Sequence, residues 1–137
     1  MKPSLDERFD NWTVQMRKGL LDYCILRALE GGECYGYALV KMLVAIPGIG
    51  VAEGSIYPLL SRLKKQGLVT TRLEESTEGP ARKYYRLTDD GRLLAREMDG
   101  YFTSMTQGVE QLGVQDFSKN PSASGEADAS INDPGTQ

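Results

Sequence analysis

The sequence predicts a mainly α-helical chain with one small antiparallel β-hairpin. Three observations carry that expectation. Apolar residues recur at helical spacing in successive segments before residue 67, two runs rich in β-formers flank a turn between residues 68 and 87, and a further helical pattern fills residues 88 to 113. With 137 residues and 40% apolar content the chain can build one core but not two substantial domains.

After a polar start containing Phe9 and Trp12, the segment Met16 to Glu30 places Leu21, Ile25, Ala28 and Leu29 at helical spacing and stops at Gly31-Gly32. A second helix follows Tyr35-Gly36-Tyr37, with Leu39, Met42, Leu43 and Ile46 on one face, and is broken at Pro47-Gly48. The third helix, Ser55 to Gln66, carries Ile56, Leu59, Leu60 and Leu63 as an apolar stripe, with Arg62 and Lys65 on the other side. Pro58 is tolerated if it lies in the first turn, where amides have no intrahelical acceptor, and Ser55 is then the N-cap; a start nearer Ala52 also fits. Gly67 supplies the stop.

Two strands come next, Leu68 to Glu74 and Arg82 to Leu87, joined by a loop containing Ser76, Thr77, Gly79 and Pro80. Alternation along the second strand separates Lys83, Tyr85 and Leu87 from Arg82, Tyr84 and Arg86; if Leu87 faces the core, the arginine set faces solvent or a partner. Thr88-Asp89-Asp90 then reads as an N-cap followed by two acids that favour the positive end of a helix dipole. Along this fourth helix Ala95, Met98, Phe102, Met105, Val109 and Leu112 follow the alternating three- and four-residue spacing of a coiled-coil seam, which seeks a partner helix. The expected organisation is an extension over 1–15, a domain over 16–87, a dimerisation helix over 88–113 and a disordered polar tail over 114–137.

Charge is unevenly placed. The net charge is −3, yet residues 17–86 hold 11 basic and 7 acidic groups, a net of +4, with the acidity on either side. A basic centre of this kind is compatible with a nucleic-acid partner. The chain has no histidine, and its two cysteines, Cys24 and Cys34, lack metal-ligand or redox spacing, so no metal, cofactor, nucleophilic triad or phosphate-binding glycine loop is expected and an enzyme is disfavoured. No apolar run is long enough to span a membrane, and an N-terminus carrying Asp6 and Glu7 is unlike a signal peptide, so the expected location is cytoplasmic.

The order helix, helix, helix, hairpin, helix spells a winged helix-turn-helix domain plus a C-terminal dimerisation helix. In that arrangement the third helix enters the major groove of double-stranded DNA and the hairpin reaches the flanking backbone. The blocks Met16-Arg17-Lys18-Gly19-Leu20-Leu21, Tyr35-Gly36-Tyr37, Glu53-Gly54-Ser55-Ile56-Tyr57-Pro58-Leu59-Leu60 and Arg82-Lys83-Tyr84-Tyr85-Arg86-Leu87-Thr88 closely resemble the PadR family pattern over residues 16 to 92, although Ala52 stands where members often have a capping serine. The resemblance implies a dimeric repressor whose last helix mediates dimerisation and whose DNA binding, at an operator expected to be an inverted repeat, is relieved by a small-molecule or stress signal.

Candidate DNA contacts are Tyr35, Ser55, Tyr57, Ser61, Arg62, Lys64, Lys65, Arg82 and Lys83. Ser55 serves equally as a cap and Tyr57 equally as packing beneath the helix. The candidate homodimer seam is Met98, Phe102, Met105, Val109 and Leu112, with Phe9 and Trp12 either extending it or covering the core. Met98, Tyr101, Phe102 and Met105 are the expected walls of a pocket for a small aromatic or apolar effector. The competing reading is a winged-helix module that binds another protein rather than DNA; the basic third helix and basic second strand favour DNA.

Overall fold

Ser4 opens the first helix with a reciprocal cap. Its hydroxyl accepts from the Glu7 amide at 3.1 Å, and the Glu7 carboxylate accepts from the Ser4 amide at 2.9 Å. In the computed structural model, which describes residues 1–116 and residue 118, helix α1 therefore starts at Leu5 and runs to Leu29. It starts eleven residues earlier than the apolar periodicity from Met16 indicates, because the added turns bury nothing in their own domain and are set by the capping box instead. The polar tail expected from residue 114 lies, beyond its first residues, outside the described ones.

The remaining elements are β1 (Cys34–Tyr35), α2 (Gly36–Val44), α3 (Glu53–Lys65), β2 (Val69–Glu74), β3 (Arg82–Leu87) and α4 (Asp89–Val114). The sheet is antiparallel with order β1-β3-β2, Val69 opposite Leu87 and Glu74 opposite Arg82. Strand β1 is two residues long, pairing Cys34 with Tyr85 and Tyr35 with Tyr84, and turns the hairpin into a three-stranded sheet. Fold class is as expected: helices around one core, with a winged hairpin.

Leu39, Val40 and Leu43 of α2 join Ile25, Leu26 and Leu29 of α1 and Ile56, Leu60 and Leu63 of α3 in the core, closed on one side by Val69, Tyr85 and Leu87 of the sheet. Each such side chain contributes roughly 1.5–3 kcal/mol by leaving water. Two positions depart from the expected stripe of α2. Met42 is exposed, and Ile46 lies beyond the helix end, where it packs on the core from the following loop. The buried face of this nine-residue helix instead follows Gly36, Leu39, Val40 and Leu43, the i, i+3, i+4, i+7 pattern counted from its first residue.

Helix α3 begins at Glu53 with Ala52 as N-cap, so Ser55 lies inside the first turn and Pro58 is the sixth helical residue, one turn further in than a cap at Ser55 would place it. At its other end the Leu68 amide donates to the Leu63 carbonyl and the Gly67 amide to the Lys64 carbonyl, each at 3.0 Å, with Gly67 at φ +76°. This left-handed stop turns the chain directly into β2. The Thr88 hydroxyl donates to the Gly67 carbonyl at 2.6 Å and accepts from the Gly91 amide at 3.0 Å, capping α4 against the same corner.

The chain divides into two units, Met1–Gly100 and the part from Tyr101 on, with α4 running from the first into the second. In the first unit Ala95 is buried and Met98 packs against the core. In the second, Tyr101, Met105, Val109 and Leu112 are exposed and Phe102 is half-buried.

Candidate nucleic-acid interface

Burial of Ile56, Leu60 and Leu63 turns the opposite side of α3 outward, and with it Ser55, Tyr57, Ser61, Lys64 and Lys65. Across from this face, β3 presents Lys83 on the same side as the buried Tyr85, as strand alternation requires. Ser61, Lys64 and Lys65 of α3 meet Thr71 of β2 and Lys83 and Tyr85 of β3 around a groove of about 410 Å³, floored by Leu60. Among the described residues no acidic one lines it. Among the described residues none of these three lysines is in an ion pair, whereas Arg27, Arg62, Arg72 and Arg92 all are. Three lysines lining one groove with no ion-pair partner among the described residues form a local field that attracts a polyanion. The Tyr85 phenol stays neutral beneath them, its pKa pushed up by burial and further by the nearby Tyr57.

The other expected contacts lie elsewhere. Arg62 pairs through Nη2 with Asp22 of α1, directed back along the domain. That pair is half-exposed, so giving it up costs only about 0.2–1 kcal/mol. Tyr35 and Arg82 are on the opposite face of the sheet from Lys83, where the Arg82 guanidinium lies 5.2 Å from the Tyr35 ring centroid and the Tyr35 and Tyr84 rings meet at 5.7 Å in an edge contact. Arg72 covers Tyr84 at 4.6 Å and grips both carboxylate oxygens of Glu33 from Nε, at 2.9 and 2.8 Å. Glu33, Arg72, Tyr84, Tyr35 and Arg82 thus form a second, internally paired layer on the wing.

That layer makes a titration testable. Hydrogen bonding from Arg72 lowers the Glu33 pKa below its ordinary value, against the opposing effect of desolvation. Because the folded-state value is the depressed one, the contribution to stability is present above the unfolded-state pKa and fades as pH falls through the folded one. Carboxyl NMR should find the Glu33 midpoint below that of an unstructured glutamate, and Arg72→Ala should restore it; an unchanged midpoint in the variant would refute the pairing.

Sequence reasoning missed three residues here. Thr71 enters the groove by its register opposite Tyr85. Lys41 lies over the Tyr37 ring at 5.1 Å, and the i, i+4 spacing of the two was the available signal. Arg17 reaches the loop before α3, and nothing local marks it.

A basic groove between a helix and a hairpin, in a chain whose elements run in this order, matches a known regulator family. The family model described as the transcriptional regulator PadR-like family matches residues 25–97. The chain belongs to the PadR-like transcriptional regulators. Among solved structures, a PadR-like transcriptional regulator from Bacillus cereus is 39% identical, with 74% of this chain and 99% of that one covered and a TM-score of 0.67. A PadR family transcriptional regulator from Eggerthella lenta is 33% identical, with 81% and 96% covered and the same TM-score of 0.67. An uncharacterised protein from Lysinibacillus sphaericus is 28% identical over 83 residues, covering 59% of this chain and 76% of that protein. Membership gives this PadR-like chain a regulator's winged-helix fold, in a family of transcription factors rather than enzymes. Among the described residues no helix is long and apolar enough to cross a membrane, and no group of three or more acidic or cysteine side chains could hold a metal ion.

Proposed function

We propose that this PadR-like chain is a sequence-specific DNA-binding repressor that acts in the cytoplasm as a homodimer on an inverted-repeat operator and is released by a small apolar or aromatic effector. The observation that carries the DNA reading is the convergence of Lys64, Lys65 and Lys83 with the Ser61 hydroxyl beside the exposed face of α3. With α3 in the major groove, Ser55, Tyr57 and Ser61 are donors for phosphates and base edges, and the three lysines neutralise the backbone. Arg62 joins them by exchanging Asp22 for a phosphate. Arg82 and Tyr35, on the other face of the wing, reach only the flanking backbone. Selection from a randomised duplex pool tests this: the protein should enrich a two-fold-related sequence, and recovery of no preferred sequence would contradict it.

The dimer reading is supported by apolar side chains that stay exposed among the described residues. Met105, Val109 and Leu112 lie on one side of α4, and Leu5, Phe9, Trp12 and Met16 repeat at four-, three- and four-residue spacing on the outer half of α1. A second copy would cover these stripes, and Tyr101, Phe102 and Met105 would then face the space between copies as effector walls, while Met98 of the expected set packs partly against its own core. Sedimentation at micromolar concentration should show a dimer, and Met105→Glu with Val109→Glu should leave a folded monomer, because two carboxylates cannot be buried unpaired in a seam. A monomeric wild type would refute the assembly.

A further inference from the structure

The first turn of α3 is weakly held by its own sequence. Its N-cap, Ala52, has no side chain to accept an amide, and the capping interaction present is a single backbone bond from Ser55 to Ala52 at 3.0 Å. Gly54 in that turn has low helix propensity, and Pro58, the sixth helical residue, has no amide to bond the Gly54 carbonyl. Yet this turn carries Ser55 and leads into Tyr57, the exposed donors nearest the start of the helix.

What holds the approach to that turn comes from another element. Arg17 of α1 donates from Nη1 to the carbonyl oxygens of Ile49 at 2.9 Å and Gly50 at 2.7 Å, the residues three and two before the N-cap. Gly50 sits at φ +61°, and a Cβ there would stand 3.1 Å from the same nitrogen, so the loop conformation and the arginine fit one another. Val51, next along the chain, is buried. The loop is thereby fixed at two carbonyls and one apolar anchor just before the helix begins.

We infer that Arg17 is a positioning residue for DNA binding: by gripping the Ile49 and Gly50 carbonyls it sets where and how firmly α3 begins, and so raises affinity for DNA without touching it. The inference rests on the DNA reading above. One nitrogen makes both bonds, so a lysine ammonium can replace part of the grip, while methionine keeps the stem and removes every donor.

The test compares wild type, Arg17→Met and Arg17→Lys, with the duplex that wild type enriches from a randomised pool as the probe. Arg17→Met should bind roughly ten- to a hundredfold more weakly, the range for losing hydrogen bonds from a charged donor. Its salt dependence should match wild type, since the same phosphates remain neutralised, and Arg17→Lys should recover much of the affinity. Hydrogen exchange should quicken at the Ser55 to Tyr57 amides in Arg17→Met and stay unchanged at Ile25 to Leu29. Wild-type affinity in Arg17→Met, a shallower salt slope, or unchanged exchange at Ser55 to Tyr57 would overturn the inference. If wild type enriches no duplex, the DNA reading falls, and the exchange comparison alone still decides whether Arg17 fixes the helix start.

Discussion

The Lys64→Glu, Lys65→Glu double variant should remain folded and bind DNA at least about a hundredfold more weakly. Both side chains are exposed on the groove wall and neither forms an ion pair among the described residues, so no native ion pair is broken. The cost to the fold comes from placing two acids in the last turn of α3, where the helix dipole disfavours them by about 0.3–1 kcal/mol each. The effect on binding is far larger. Each protomer loses two cations and gains two anions facing the phosphates, and the plot of log affinity against log salt should flatten by about one unit for each phosphate left without its lysine. Circular dichroism checks the fold and titration of labelled duplex checks the affinity; a folded variant that binds as wild type would refute the groove as the DNA-facing surface.

The second large effect is on stability. A Cβ at Gly91 would stand 2.0 Å from the Leu68 carbonyl oxygen and 3.0 Å from its carbon. That oxygen already accepts the Thr88 amide at 3.1 Å, so it is fixed backbone that no rotamer change can move aside. Gly91→Ala should therefore destabilise by about 3 kcal/mol, the upper part of the range for overpacking, despite alanine's better helix propensity. Gly100, in the same helix, has open space where its Cβ would go, so Gly100→Ala should stabilise by about 0.8–1 kcal/mol. Thermal unfolding of the two variants separates them by sign. A Gly91→Ala protein as stable as wild type would show that α4 does not pack this closely on the β2 corner.

Much of this was legible in the sequence because it depends on local pattern. The Ile56, Leu60, Leu63 stripe, the Gly67 stop and the Thr88 cap are each set within a few residues, and the structure has all three. Alternation along Arg82–Leu87 correctly separated Tyr85 and Leu87 from Arg82 and Tyr84. What escaped depends on partners distant in sequence. Strand β1 exists only because Cys34 and Tyr35 meet Tyr85 and Tyr84, Arg62 faces Asp22 forty residues away, and Arg17 meets a loop beginning thirty-two residues on. The outer half of α1 escaped for a different reason. Its apolar residues are exposed in the chain, so periodicity against a core had nothing to register, while the Ser4 and Glu7 capping signal was present and unused.

Lys64, Lys65 and Lys83, in no ion pair among the described residues, are proposed to hold DNA by its backbone, and the salt dependence of wild-type binding to its enriched duplex tests this most directly. With the three lysines of each protomer of a dimer on phosphates, log affinity should fall against log salt with a slope of at least about −5 in magnitude, steeper where Arg62 and Arg82 engage phosphates as well. Tight binding whose affinity does not change between about 50 and 200 mM salt, or no binding even at the lower concentration, would contradict the account.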